Sequence, residues 1–338
     1  MRNGKRKHFA KETEVMNERL GHIGKKGKKA MSGKHGTIWL VVILALVVGW
    51  ASVSPIEAAV LFSDTFDRAD NGDINIGASA NQSGTYAGTP YIFHMDTSVT
   101  PNVEYETVAI EGNRLAIGRI AGGSNTSPRA GVDHNFTDAS ILTDGGFTID
   151  VDVTPVTTTY DGVSRNMTII VGATRAGVLN NGYMFGSRDQ ALGINITSNA
   201  DADAGLETAT VSVYRVTGTV NPQGTESFSY VFDTDAQVNE SYHVTATIRP
   251  VDGTFAANSA WTLELAVNGT LIPLEGPGDT VMGFTWPVRN PDSNYIALER
   301  YRDPVGFWDN FTIATIPEPA TLSLLALGGV GVLIRRRR

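Results

Sequence analysis

The 338-residue chain contains no cysteine. That excludes disulfide staples, cysteine nucleophiles and thiolate metal sites, so stability has to come from the packed core itself. Lysine is nearly as restricted. None occurs between Val60 and Ile316, where twelve cations, all arginine, stand against thirty Asp and Glu, a balance near −18. Such a surface repels nucleic acid, while its Asp and Asn could hold hard cations or simply keep the protein soluble. Helical periodicity is missing too: no central run places apolar residues at helical spacing between caps. Histidine is scarce, and His94, His134 and His243 lie in no nucleophile elbow, so a serine-type hydrolytic arrangement has no support.

What the central stretch does contain is a succession of short runs rich in Val, Ile, Thr, Tyr and Phe, separated by Gly, Asn, Asp and Pro clusters. Candidate strands are Tyr105 to Ile110, Arg114 to Ile120, Phe147 to Val153, Met167 to Val171, Thr210 to Val216, Phe228 to Phe232, Tyr242 to Arg249, Trp261 to Val267, Tyr295 to Tyr301 and Phe307 to Ile313. In Phe147 to Val153 and in Trp261 to Val267 every second residue is apolar, the period of a half-buried strand. Asn268-Gly269 supplies the residues of a type I′ hairpin into Thr270-Leu271-Ile272, and Val251-Asp252-Gly253 marks another turn. The pattern predicts one all-β sandwich over residues 60–316, with long loops at Gly72 to Pro101 and Asn180 to Leu206.

The two ends differ from this core. Met1 to Gly36 is basic and Thr37 to Val48 is nearly all apolar, the n-region and h-region of a secretory signal. Residues 1–59 are read as this signal, cleaved by signal peptidase between Ser54 and Ala59, with Met31 as an alternative start. At the other end, Pro317-Glu318-Pro319 precedes fifteen uncharged residues, Ala320 to Ile334, and then Arg335, Arg336, Arg337 and Arg338. The prolines end the last strand. As a helix the apolar segment would measure about 22 Å at about 1.5 Å per residue, short of a ~30 Å hydrocarbon core, and the arginines would stay on the cytoplasmic side.

This order, in residues 317–338, resembles the PEP-CTERM sorting signal of Gram-negative bacteria that make extracellular polysaccharide. The resemblance implies an exosortase as partner, general export machinery, transient inner-membrane anchoring through the C-terminal helix, and a final location at the cell surface or extracellular matrix. Within the core, the opening Asp64-Thr65-Phe66-Asp67-Arg68-Ala69 and the closing Trp308-Asp309-Asn310-Phe311 resemble concanavalin A-like jelly rolls of the laminin-G type. There the first and last strands lie side by side. The whole expectation is a jelly-roll β-sandwich flanked by an N-terminal signal helix and a C-terminal sorting helix.

Candidate sites follow from residue type. Asp64, Asp67 and Asp309 would meet at one end if the terminal strands pair, a possible calcium site, although the loop from Asp67 to Asp73 fails the EF-hand pattern because position twelve is Ala78. Tyr86, Tyr91, Trp286 and Tyr301 are aromatics that could stack on sugars, Trp286 and Tyr301 being the chosen ligand residues. Same-face carboxylates occur at Glu104 and Glu106 and at Asp150 and Asp152, but the third member of the glucanase pattern is missing, since Val153-Thr154-Pro155 follows the second pair. A solvated strand face explains both pairs. The expected function is a non-catalytic, exported surface protein binding carbohydrate or a surface partner. A polysaccharide hydrolase on the same scaffold and a purely structural biofilm component are the alternatives.

Overall fold

The computed structural model describes residues 58–95, 106–119, 127–156, 166–180, 190–199, 207–217, 224–287, 293–301 and 305–316. All lie within one compact unit, Ile56–Leu322. The expected signal and sorting helices fall outside the described residues, and no helix among those described is long and apolar enough to cross a membrane.

In chain order the strands are β1 (Val60–Asp64), β2 (Gln82–Ser83), β3 (Tyr91–His94), β4 (Glu106–Glu111), β5 (Arg114–Arg119), β6 (Arg129–Val132), β7 (Phe147–Thr154) and β8 (Asn166–Ala173). They continue with β9 (Leu192–Ser198), β10 (Ala209–Thr217), β11 (Gly224–Asp233), β12 (Tyr242–Pro250), β13 (Ala260–Val267), β14 (Thr270–Leu271), β15 (Val281–Thr285), β16 (Tyr295–Tyr301) and β17 (Gly306–Thr315). Two short helices, α1 (Ala139–Thr143) and α2 (Arg175–Val178), interrupt them.

The fold is all-β and built from two antiparallel sheets. A ten-stranded sheet runs β14-β13-β12-β7-β17-β1-β2, with β15 on β13, and β5 and β4 attached through β17. A seven-stranded sheet runs β11-β10-β9-β8-β16-β6-β3. Their inner faces share one core, in which Ile149, Val151 and Leu263 of the first sheet join Ile169, Ile194 and Val213 of the second. As expected, the first and last strands pair, with Val60 opposite Ala314 and Ser63 opposite Thr312.

Period two explains the clean strands. In β7 and β13 alternate residues are buried, and the polar ones between them face outward. At the hairpin joining β13 to β14, Asn268 (φ 49°) and Gly269 (φ 74°) both take the positive φ that a type I′ turn requires. Both expected long loops contain strands, which is a correction. β2 and β3 lie inside Gly72 to Pro101, and β9 lies inside Asn180 to Leu206. β9 is buried on both faces, so its sequence has no alternation, and Gly193 and Asn195 break its apolar run.

Candidate functional site

Strand alternation sends one set of residues in the seven-stranded sheet away from the core. Across that outer face the register aligns His94, Arg129, Glu299, Thr168, Asn195, Ser212 and Ser229, one from each strand from β3 to β11. Every one is polar. At about 4.8 Å per strand the row spans about 29 Å.

Hydrogen bonds tie the row together. Arg129 Nη2 pairs with Glu299 Oε2 at 3.1 Å, both side chains fully buried. Thr168 Oγ1 donates to Asn195 Oδ1 at 3.4 Å, and the Ser212 and Ser229 hydroxyls lie 2.8 Å apart. A second polar row runs beside it, with Tyr301 opposite Asn166 and Thr197 opposite Thr210. Asn195 Nδ2 donates to Thr197 Oγ1 at 3.0 Å, and Thr197 Oγ1 donates to Asn166 Oδ1 at 3.1 Å, which joins the two rows.

On the opposite flank the neighbouring positions are apolar. Ile92, Ala297 and Ile170 pack beneath Val178 of α2. Gly131 lies in the same row, where a Cβ would come within 3.0 Å of Val178 Cγ1. The helix covers these apolar positions at the β3–β6–β16 end of the sheet and is tied to the polar row where Arg129 Nη1 donates to the carbonyl of Gly177 at 3.4 Å. Burial pushes the Arg129 guanidinium below its ordinary value, while Glu299 and Glu106 pull it back up. Arg129, Glu299, Thr168 and Asn195 are buried, and the row reaches solvent only at its ends, where His94 and Ser212 are half-buried and Ser229 is exposed.

Of the expected ligand aromatics, Tyr301 stands at the end of the second row, half-buried. Trp286 is a correction. It is 0% exposed, 5.2 Å from the ring of Trp261 and 5.5 Å from that of Phe255, and its Nε1 donates to the Ser293 carbonyl at 3.0 Å. It has no face for a ligand. Tyr91 is likewise a core residue, its hydroxyl donating to Asp64 at 3.1 Å and its pKa raised, first by burial and then by that carboxylate. Tyr86 stacks on His134 with ring centroids 3.7 Å apart and hydrogen-bonds Asp138, which together with burial pushes its pKa up to about 12.

The expected calcium set does not assemble. Asp64 is 0% exposed and already neutralised: Arg68 Nη1 lies 2.8 Å from Oδ1, and the Phe66 amide donates to the same oxygen at 2.8 Å. Asp67 is exposed, and Asp309, on β17 of the same ten-stranded sheet, is half-buried on its outer face, whereas Asp64 is turned inward. Among the described residues no three carboxylate or imidazole groups are arranged to hold a metal ion. These donors therefore do not fit a hard cation.

Asp150 and Asp152 also lie on the outer face of the ten-stranded sheet. Asp152 Oδ1 is 2.8 Å from His243 Nδ1, and its Oδ2 accepts from Asn310 Nδ2 at 2.7 Å. Asp150 Oδ1 accepts from Thr245 Oγ1 at 2.6 Å. This is a solvated strand face whose carboxylates are held by their neighbours. Glu106 is buried near Arg129, and Glu104 lies outside the described residues.

The sequence reading missed Arg129, Glu299, Thr168, Asn195, Ser212 and Ser229. One signal was there: Glu299 and Thr168 are polar residues next to apolar runs, Ile296 to Leu298 and Ile169 to Val171.

Residues 315–338 match the PEP-CTERM protein-sorting motif. The chain thus carries a signal for export and membrane anchoring before processing by an exosortase, although Pro317, Glu318, Pro319 and Arg335 to Arg338 lie outside the described residues. No curated protein matches the sequence. Among solved structures, the chain is similar to LamAcat from Zobellia galactanivorans (11% identity, 76% of this chain and 98% of that one, TM-score 0.41). It is also similar to a carbohydrate esterase from the Shiga toxin-encoding bacteriophage phi24B (14%, 77% and 99%, 0.41). A third is the binding domain of botulinum neurotoxin DC, solved with rat synaptotagmin II (11%, 80% and 52%, 0.36), so the chain spans about half the length of that structure.

Proposed function

We propose that this exosortase-processed protein is displayed at the cell surface or in the extracellular matrix, where a concanavalin A-like jelly roll binds neutral polysaccharide without cleaving it. The observation that carries this reading is the part of the two polar rows that reaches solvent: Tyr301, Asn166, Thr197, Thr210 and Ser212 are half-buried and Ser229 is exposed, on adjoining strands from β16 to β11, above a buried polar layer of Arg129, Glu299, Thr168 and Asn195. A ladder of hydroxyls and amides suits a long polyhydroxylated ligand, which presents hydrogen-bonding groups along its whole length. Pairing of β1 with β17 supports the jelly-roll assignment. The acidic balance of the core disfavours anionic glycans. Non-catalysis is supported by the fully buried ion pair of Glu299 with Arg129, which holds that carboxylate away from a scissile bond.

The test is to incubate the full chain, solubilised in detergent, with immobilised neutral and uronic polysaccharides while scoring bound protein and released reducing ends. Retention on a neutral polymer without release is expected. Release of reducing ends overturns the non-catalytic claim, and retention on uronic polymers alone overturns the neutral one.

A further inference from the structure

A second concavity lies away from the polar rows, at the open side of the sandwich. β11 ends the seven-stranded sheet and β14 ends the ten-stranded one, and between these two edges is a cleft of about 270 Å³. Tyr230, Phe232 and Asp233 of β11 line one side, Asn268 and Thr270 of the hairpin line the other, and Tyr242 of β12 closes the end. Tyr230 is 41% exposed and Leu271 at the rim 47%, whereas Ile272 on the floor is buried.

We propose that this cleft is a binding site for a single neutral sugar unit. Three observations converge. First, Tyr230 presents an exposed ring beside Phe232, whose own ring meets Tyr242 edge-on at 5.0 Å, so an apolar face is available for stacking. Second, the polar groups are mixed in kind. Asn268 Oδ1 is occupied by the His243 amide at 2.8 Å, which leaves its NH2 to donate. The Thr270 and Tyr230 hydroxyls take no partner among the described residues, and Asp233 supplies an acceptor. Vicinal hydroxyls of a sugar need both donors and acceptors.

Third, the charge is of one sign. The Tyr242 hydroxyl is shared between Asp233 Oδ2 and Glu240 Oε2, each at 3.3 Å, and no Lys or Arg lines the cleft. A uronate or sulfated sugar would meet the Asp233 carboxylate in the lining, with Glu240 behind the Tyr242 hydroxyl and no cation in the lining to offset them. The site is therefore selective for neutral units. It shares no lining residue with the polar rows, so it stands whether or not those rows bind glycan.

Saturation-transfer NMR on the detergent-solubilised full chain tests it, with methyl glucosides, galactosides and mannosides as probes and methyl glucuronide as the acidic counterpart. Transfer to at least one neutral methyl hexoside is expected. Tyr230→Ala should weaken that binding about tenfold, and Thr270→Val should weaken it measurably. The proposal is overturned by no transfer to any neutral hexoside, by transfer insensitive to both Tyr230→Ala and Thr270→Val, or by equal transfer to the glucuronide. A change in oligomeric state on Tyr230→Ala with unchanged sugar affinity also overturns it, assigning this edge to pairing between copies of the chain.

Discussion

Trp286 packs its indole against Trp261 and Phe255 with no exposed surface, so truncation removes a large part of the core at one end of the sandwich. Trp286→Ala is expected to cost about 3–5 kcal/mol in denaturant unfolding, and loss of glycan retention at unchanged stability would contradict that placement. Asp309 behaves differently. Burial raises its pKa, the neighbouring Asp152 and Asp67 add to the shift, and the Asn310 amide and Arg114 oppose it. The folded state thus holds this proton to higher pH than the unfolded state. The stability it confers is present at low pH and is lost as pH rises from the ordinary Asp value through the raised one. Asp309→Asn keeps the oxygen that accepts from the Asn310 amide and removes the charge. Its melting temperature, relative to the parent, should therefore rise between pH 3 and pH 7; a fall over that window would refute the assignment. Residue type suggested roles for both positions, but burial decided them, and burial depends on partners distant in sequence, such as Trp261 for Trp286 and Asp152 for Asp309.

Among the elements, the β13–β14 hairpin is the part most directly written in the chain. Asn268-Gly269 follows seven residues of strict alternation, and the observed register places Val267 opposite Thr270. Asn268→Ala forces a side chain with no local hydrogen bond into positive φ and also removes the acceptor for the His243 amide. It should destabilise by about 1–2 kcal/mol. Asn268→Gly keeps the backbone free to turn and should cost less, so equal losses in urea unfolding would argue against strain as the cause. β7 and β13 were legible because one face of each is wet. β9 was not, because both faces are buried and its single interior amide, Asn195, lies in the polar row rather than in solvent.

At the scale of the whole molecule, the chain joins an export and sorting address to an acidic two-sheet body. The address was fully legible, because proline, apolar and arginine blocks act locally and in fixed order. The polar row was not. It exists only because six long-range pairings bring Arg129, Glu299, Thr168 and Asn195 into line, and no local pattern in the sequence specifies a register across seven strands. The account therefore stands on that face. Its most direct test compares the full chain with Asn166→Ala combined with Thr197→Ala for retention on a neutral polysaccharide, with urea unfolding run on both. Loss of most of the retention, with both chains still folded in the absence of urea, is the predicted result; the midpoint itself should fall somewhat, because the buried Asn195 amide loses its acceptor. Full retention by the doubly substituted chain, or none by the parent on any neutral polymer, would contradict the assignment of this face as the binding surface.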